Sequence, residues 1–187
     1  MKKLYFILLV LITINAQGQN SKPQKYINQK TFGGFVSTGL PLYKLADQSA
    51  YHPIIGGATF YVPLFKAKNR FNIAVDLQPQ VVLVPFERHT EYEMGFNVVF
   101  SFGLALNPTT ILSFNVGSGP HYISSTLTRQ AQGFIFSDNF NFSIREKLGI
   151  VETSIFSGWR HISNAGLENP NAGVNNVIIG VSVAKIL

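Results

Sequence analysis

The stretch EYEMGFNVVFSFGLAL, residues 91–106, decides the fold. Its even-numbered residues are all large and apolar: Tyr92, Met94, Phe96, Val98, Phe100, Phe102, Leu104 and Leu106. The residues between them are mostly small or polar, among them Glu91, Glu93 and Asn97. An alternation of period two that persists for sixteen residues predicts a β-strand longer than most strands of soluble proteins. In a small transmembrane barrel the bulky face contacts lipid, while the small and polar face fills the narrow lumen.

The same alternation recurs along the chain, for example in ILSFNVGSG (111–119) and FIFSDNFNFSIREK (134–147). We predict eight strands, at residues 26–38, 54–64, 71–84, 91–106, 111–124, 134–147, 152–163 and 175–187. Short connections alternate with mostly longer ones, as in even-stranded outer-membrane barrels, which have short periplasmic turns and longer extracellular loops. The predicted fold is therefore all-β: an eight-stranded antiparallel transmembrane β-barrel of the outer membrane.

The first residues, MKKLYFILLVLITINAQGQN, have the pattern of a secretory signal peptide. Lys2 and Lys3 precede an apolar run at 4–14, and small residues follow at 16 and 18. The apolar run is too short to cross a bilayer as a helix. We predict a signal peptide at 1–18 and a single barrel domain at 19–187.

The composition agrees with an exported membrane protein. Charged residues make up 13% of the chain, against about 25% in a typical soluble domain. Without Lys2 and Lys3, 13 basic residues face 9 acidic ones, an excess of +4 that contains no basic run. Nucleic acid is therefore not an expected partner. There are no cysteines, and His52, His89 and His121 lack the spacing of metal ligands, so neither disulfides nor a metal site is expected.

Several charged residues fall on the predicted lumen face. In a narrow barrel such groups pair with one another, and their role is structural rather than catalytic. We expect a lumen network that includes Asp76, Glu91, Glu93, Arg145, Glu152 and Arg160. A soluble lipocalin-like barrel is the alternative fold, because it has a similar number of strands but turns its apolar face inward around a ligand.

The candidate catalytic residues lie in WRHISNAGLENPNAGVNN, residues 159–176. His161 and Ser163 are two positions apart on a strand, so their side chains point the same way about 6.5–7 Å apart. Asn175 has the same parity as the apolar face of the last strand, which puts it with this pair on the outer wall. A serine with a histidine base is the chemistry of ester hydrolysis, and a lipid of the outer leaflet would supply the ester. An amide such as that of Asn164, or nearby backbone N–H groups, would hold the oxyanion.

The sequence RHISNAGLENPNAGVN resembles the C-terminal signature of the PagL-type lipid A 3-O-deacylases. Residues 117–142, GSGPHYISSTLTRQAQGFIFSDNFNF, are also similar to that family. The resemblance implies an outer-membrane barrel that removes the 3-position hydroxyacyl chain from lipopolysaccharide. It assigns His161 as the base, Ser163 as the nucleophile and Asn164 as the oxyanion-hole residue. Lipid A is then the partner in the membrane, and no cofactor is needed.

This chain departs from the family pattern at one catalytic position. Twelve residues after the serine, where the family has an acid, it has Asn175. An amide oxygen can still accept the imidazole Nδ1–H and orient the ring, although it supplies no negative charge. Glu168, in the same loop, is the alternative orienting residue. The departure also keeps open a non-catalytic barrel of the same fold with a structural or lipid-binding role. The sequence leaves open the acyl chain removed, the latency of the enzyme and its oligomeric state.

Overall fold

The computed structural model describes residues 25–45, 50–65, 70–87, 89–124 and 127–187. The predicted signal peptide, 1–18, lies outside these residues, so its assignment stays a prediction. Among the described residues, no helix is long and apolar enough to cross a membrane.

The described chain forms one short 3₁₀ helix and nine strands. The helix is Lys25–Asn28. The strands are β1 (Thr31–Pro41), β2 (Ile54–Pro63), β3 (Phe71–Pro85), β4 (Thr90–Ala105), β5 (Thr110–Ser118), β6 (Pro120–Ile123), β7 (Gly133–Leu148), β8 (Val151–Ser163) and β9 (Val174–Ile186). Strands β5 and β6 both pair with β4 and β7, so together they form one strand of the barrel. The barrel therefore has eight strands, as predicted.

Neighbouring strands pair antiparallel all the way round the sheet. β1 pairs with β9 from Thr31↔Ile186 to Pro41↔Asn176, which joins the first strand to the last. β3 pairs with β4 over fifteen positions, and this pairing completes the ring. Closure leaves none of the nine described strands at an unpaired sheet edge, which is the requirement for β-structure in a membrane.

The apolar side chains lie outside the barrel and the polar ones lie inside. Phe142, Ile155 and Val183 are 62%, 64% and 57% exposed on the outer wall, whereas Glu93 and Arg160 inside are 0% and 1% exposed. A lipocalin-like barrel has the opposite arrangement. The soluble alternative is therefore wrong, and the prediction of an eight-stranded antiparallel transmembrane β-barrel is confirmed.

Four of the six predicted charges form two ion pairs inside the barrel, and the other two are bonded to other groups, so no contact joins all six into one network. Arg160 Nη2 lies 2.5 Å from Glu93 Oε2, and Arg145 makes a two-pronged contact with Glu152, with N···O distances of 3.0 and 2.7 Å. Glu91 interacts instead with His89 Nε2 at 2.9 Å and with the Ser124 hydroxyl at 2.7 Å. Asp76 accepts hydrogen bonds from neutral groups, the Thr59 hydroxyl and the Gln78 amide.

Apolar clusters lie above and below this polar middle. At the end where β8 leads into β9, Ile162, Val174 and Ile178 belong to a buried cluster with residues of β2, β3, β6 and β7. At the end where the first and last strands begin and finish, Tyr26 and Ile27 of the 3₁₀ helix pack with Ala105 and Ile111. The predicted first strand, 26–38, is therefore wrong at its start, because these residues fold into the barrel mouth instead of extending the strand.

Candidate active site

Strands β8 and β9 place the candidate residues at the end of the barrel opposite the described termini. Near the end of β8, Arg160 and Ile162 point into the barrel and are 1% and 0% exposed. The alternation of the strand then turns His161 and Ser163 outward, where both are half-buried. In the register of β8 with β9, His161 lies directly opposite Asn175.

His161 is held by its cross-strand neighbour and by the preceding aromatic ring. Its Nδ1 lies 2.9 Å from Asn175 Oδ1. The Trp159 ring is stacked on the imidazole, with centroids 5.5 Å apart and planes inclined by 12°. Since an amide oxygen only accepts hydrogen bonds, Nδ1 carries the proton in this arrangement, and Nε2 keeps a lone pair for a hydroxyl proton.

Gly173 borders the other side of the imidazole. Its φ is +67°, in the left-handed region that favours glycine. A Cβ on this residue would lie 3.0 Å from His161 Nε2 and would overlap Cε1. The position therefore requires glycine both for its backbone conformation and for the space that the imidazole occupies.

Asn164 is buried beneath the loop that follows Ser163. Its amide donates to the Glu168 carbonyl at 2.7 Å, and its Oδ1 accepts from Gly166 N at 3.1 Å. Its own backbone N–H donates to Asn171 Oδ1 at 2.9 Å. Asn164 thus shapes this turn, and the bond to the Glu168 carbonyl uses one of the two protons of its side-chain amide. The oxyanion role of Asn164 stays a prediction.

The two candidates for orienting His161 lie in different places. Asn175 is hydrogen-bonded to Nδ1, as described above. Glu168 is exposed and contributes its backbone carbonyl to Asn164. The structure therefore brings Asn175, and not the Glu168 carboxylate, to the histidine.

Two residues from other loops complete the surroundings of Asn175, and neither was among the sequence predictions. The Tyr43 hydroxyl, in the β1–β2 connection, lies 3.1 Å from Asn175 Nδ2. The Arg129 guanidinium, in the β6–β7 connection, stacks over the Tyr43 ring at 4.5 Å. Tyr43 is 132 positions from Asn175, so no local pattern identifies it.

The β6–β7 connection is also hydrogen-bonded to the 164–173 loop. Ala131 N donates to the Pro170 carbonyl at 2.7 Å, and Ala172 N donates to the Arg129 carbonyl at 2.8 Å.

A shallow groove on the outer wall begins beside Trp159. It is lined by Val98, Phe100, Val116, Gly117, Ser118, Asp138, Phe140 and Trp159. Asp138 lies directly opposite His161 in the β7–β8 register and accepts a 2.6 Å hydrogen bond from the Ser118 hydroxyl. The sequence signal for Asp138 is its interruption of the phenylalanine face of β7.

The remaining histidines do not gather with acids into a metal site within the part of the chain described here. His121 lies in the lumen, where its Nε2 is 3.1 Å from Asn97 Oδ1 and 3.3 Å from Gln80 Nε2. His89 is paired with Glu91 at the rim.

The fold and these contacts define a class of protein: a membrane β-barrel that carries a histidine and a serine side by side on its lipid-facing wall. The family model described as lipid A 3-O-deacylase (PagL) matches residues 28–184, so the chain belongs to this family. Among solved structures, the chain is similar to one described as the crystal structure of the outer membrane enzyme PagL, with a TM-score of 0.64 and 16% identity. That match covers 81% of this chain and 97% of the other. No curated protein matches the sequence significantly.

Proposed function

We propose that this protein is an outer-membrane serine esterase that removes the ester-linked hydroxyacyl chain at the 3-position of lipid A. The observation that carries the proposal is the 2.9 Å contact between His161 Nδ1 and Asn175 Oδ1. It orients an imidazole on the outer wall, two residues before a serine on the same face of β8. Membership of the lipid A 3-O-deacylase family supports the substrate class.

In the proposed reaction, His161 Nε2 takes the proton of Ser163 as Oγ attacks the acyl carbonyl of lipid A. The tetrahedral intermediate collapses when the imidazolium returns that proton to the departing 3-oxygen of the sugar. Water then attacks the acyl-enzyme with His161 again as the base. The products are a free hydroxy fatty acid, lipid A with a 3-hydroxyl group, and the original serine.

The oxyanion of each tetrahedral intermediate needs hydrogen-bond donors close to Ser163. We assign the second amide proton of Asn164 and the backbone N–H of Ala165 to this task, because the backbone N–H groups of Asn164 and Gly166 already donate within the turn. One such donor lowers the barrier by about 2.7–4 kcal/mol in a serine protease.

The outer wall is the place where a lipid ester can reach these residues without leaving the membrane. The site lies at the end of the strands that carries the mostly longer loops, which we assign to the extracellular side and hence to the level of the sugar headgroup. Toward the middle of the strands, the groove beside Trp159 has apolar side chains, such as Val116 and Phe140, that an acyl chain can contact. The chemistry requires no cofactor.

The test is mass spectrometry of lipid A after incubation of lipopolysaccharide with the refolded full-length protein. Wild type should release one hydroxyacyl chain per lipid A, and Ser163→Ala should release none. Ser157→Ala is the matched control, because Ser157 lies on the same face of β8 and donates to the Ile178 carbonyl at 2.9 Å. The control should act like wild type.

Activity that survives in Ser163→Ala would refute the assigned nucleophile. If both wild type and Asn175→Asp leave lipid A unchanged while folding correctly, the non-catalytic lipid-binding barrel becomes the better account. Resistance of the folded barrel to heat in detergent, seen as a shift in gel migration, establishes that each variant is folded.

A further inference from the structure

An asparagine beside a catalytic histidine can face it in two ways. With Oδ1 toward Nδ1, the amide accepts the Nδ1 proton and leaves Nε2 free to act as a base. With Nδ2 toward Nδ1, the amide donates and favours the tautomer protonated on Nε2. That second tautomer cannot take a proton from Ser163. The orientation of Asn175 therefore decides whether the proposed site works.

The Tyr43 hydroxyl makes three hydrogen bonds around Asn175. It donates to the Gly173 carbonyl at 3.0 Å. It accepts from the Asn175 backbone N–H at 3.0 Å and from Asn175 Nδ2 at 3.1 Å. A hydroxyl has one proton and two lone pairs, so these bonds use its full capacity.

Rotation of the Asn175 amide would break this arrangement. Oδ1 would then face the Tyr43 oxygen, and the two acceptors would oppose each other unless the hydroxyl gave up its bond to the Gly173 carbonyl. The contact from Nδ2 would be lost at the same time. The present orientation, which places Oδ1 on the histidine, is therefore the one that keeps all three bonds of Tyr43.

Arg129 keeps the tyrosine in this position. Its guanidinium lies over the Tyr43 ring, and its Nε donates to the same Gly173 carbonyl at 3.0 Å. A further bond of 3.1 Å runs from Nη2 to the Ala172 carbonyl. The ring and the carbonyl that receives the Tyr43 proton are therefore held by one side chain.

We infer that Tyr43 is a positioning residue: its hydroxyl locks the Asn175 amide with Oδ1 toward His161 and thereby selects the imidazole tautomer protonated on Nδ1. The inference rests on the proposed function and explains how an amide can stand where the family has an acid. A carboxylate has acceptors on both sides and needs no such lock.

The kinetic test compares four refolded proteins on lipopolysaccharide: wild type, Tyr43→Phe, Asn175→Asp and the double variant. Tyr43→Phe should lower kcat by about tenfold, the factor expected from the loss of one or two hydrogen bonds, with KM nearly unchanged. In the Asn175→Asp background the same change should lower kcat less than about twofold, because no amide remains to be oriented. Tyr92→Phe removes a tyrosine hydroxyl from the outer wall of β4 and should have no effect.

A fall in kcat of equal size in both backgrounds would mean that Tyr43 only supports the loop, and the inference would be lost. The same holds if Tyr43→Phe changes nothing in the presence of Asn175.

A second readout, which does not depend on activity, is nitrogen NMR of the protein with labelled imidazoles. The signal of His161 is assigned by its disappearance in His161→Gln. Wild type should show protonation on Nδ1, and Tyr43→Phe should shift population toward Nε2.

The NMR result separates failure of this inference from failure of the proposed function. If wild type and Asn175→Asp are both inactive but Tyr43→Phe shifts the tautomer, the lock exists and the esterase assignment is wrong. If the tautomer is the same in both folded proteins, the lock is refuted whatever the activity.

Discussion

At the scale of single residues, the partner of His161 Nδ1 is the neutral Asn175, which orients the ring but does not stabilise its positive charge. Asn175→Asp would replace the amide by a carboxylate of the same shape, opposite His161 in the same register. Hydrogen bonds to charged groups contribute about 1.5–3 kcal/mol, against about 0.5–1.5 kcal/mol for neutral ones. We therefore expect kcat for lipid A deacylation to rise by about five- to tenfold. Initial rates measured by mass spectrometry check this.

The gain must depend on the assigned nucleophile. The double variant Asn175→Asp/Ser163→Ala should therefore be as inactive as Ser163→Ala alone. An unchanged or lower rate in Asn175→Asp would show that charge at this position does not limit the reaction.

The fit of Gly173 against the imidazole gives a second prediction at this scale. Gly173→Ala would place a methyl group against His161 and force an alanine to adopt a φ of +67°. The backbone penalty is about 1–2 kcal/mol, and displacement of the ring should add a loss of kcat of at least about tenfold. The measurement is the rate of fatty acid release at saturating lipopolysaccharide.

Gly166→Ala separates these two effects. Gly166 has a φ of +82° in the same loop, but a Cβ there would meet nothing within 4 Å. This variant should show a similar backbone penalty in thermal unfolding and nearly wild-type kcat. Equal losses of kcat in both variants would mean that loop strain, and not the contact with His161, controls activity.

At the scale of the elements, β8 connects the site to the interior, because outward His161 follows inward Arg160. Arg160→Met would leave Glu93 buried without its guanidinium partner. Loss of one member of a buried ion pair costs about 3–5 kcal/mol. We expect the temperature at which the folded band disappears on gels to fall clearly. The double variant Arg160→Met/Glu93→Gln should recover part of that loss.

Lys185→Met serves as the control for charge removal. Lys185 is exposed near the end of β9, so its substitution should change stability by no more than about 0.5 kcal/mol. If Arg160→Met/Glu93→Gln is destabilised as much as Arg160→Met alone, packing of the Arg160 side chain, rather than its pairing with Glu93, is its main contribution to stability.

The alternation of side chains predicts most of these elements because lipid outside and a narrow lumen inside impose a strict period of two. It also places His161, Ser163 and Asn175 on one face, since their parity and register are local properties. The requirement for a glycine at 119, between β5 and β6, has a different origin. A Cβ at Gly119 would overlap the Phe96 carbonyl, a contact that exists only after β4 and this strand have paired.

The contacts of Tyr43 and Arg129 depend on the closed molecule as well. Their loops meet the 164–173 loop only because the ring brings β1, β7, β8 and β9 together at one end. The ion pair between Arg160 and Glu93 crosses the lumen from β8 to β4. The sequence therefore predicts that both charges lie in the lumen, but it does not predict that they pair with each other.

At the scale of the whole molecule, the apolar outer wall is the feature that gives the proposed esterase access to a lipid substrate. Val181 lies in the middle of this wall, 48% exposed, with Ile155 and Val36 as its cross-strand neighbours. Val181→Arg would bring a charge into the hydrocarbon region, at a cost of about 2–4 kcal/mol near the midplane of a bilayer. We expect folding into lipid vesicles, measured from the denaturant midpoint, to weaken accordingly.

Leu167→Arg provides the matched comparison, because Leu167 is 72% exposed but lies in the 164–173 loop beyond the strands. A charge there remains in water or among headgroups, so the denaturant midpoint should stay near that of wild type. In a barrel folded in water, both arginines would be solvated and both substitutions would be tolerated. Equal midpoints for the two variants would therefore contradict a lipid-facing wall, and with it the proposed route of a lipid A ester to Ser163.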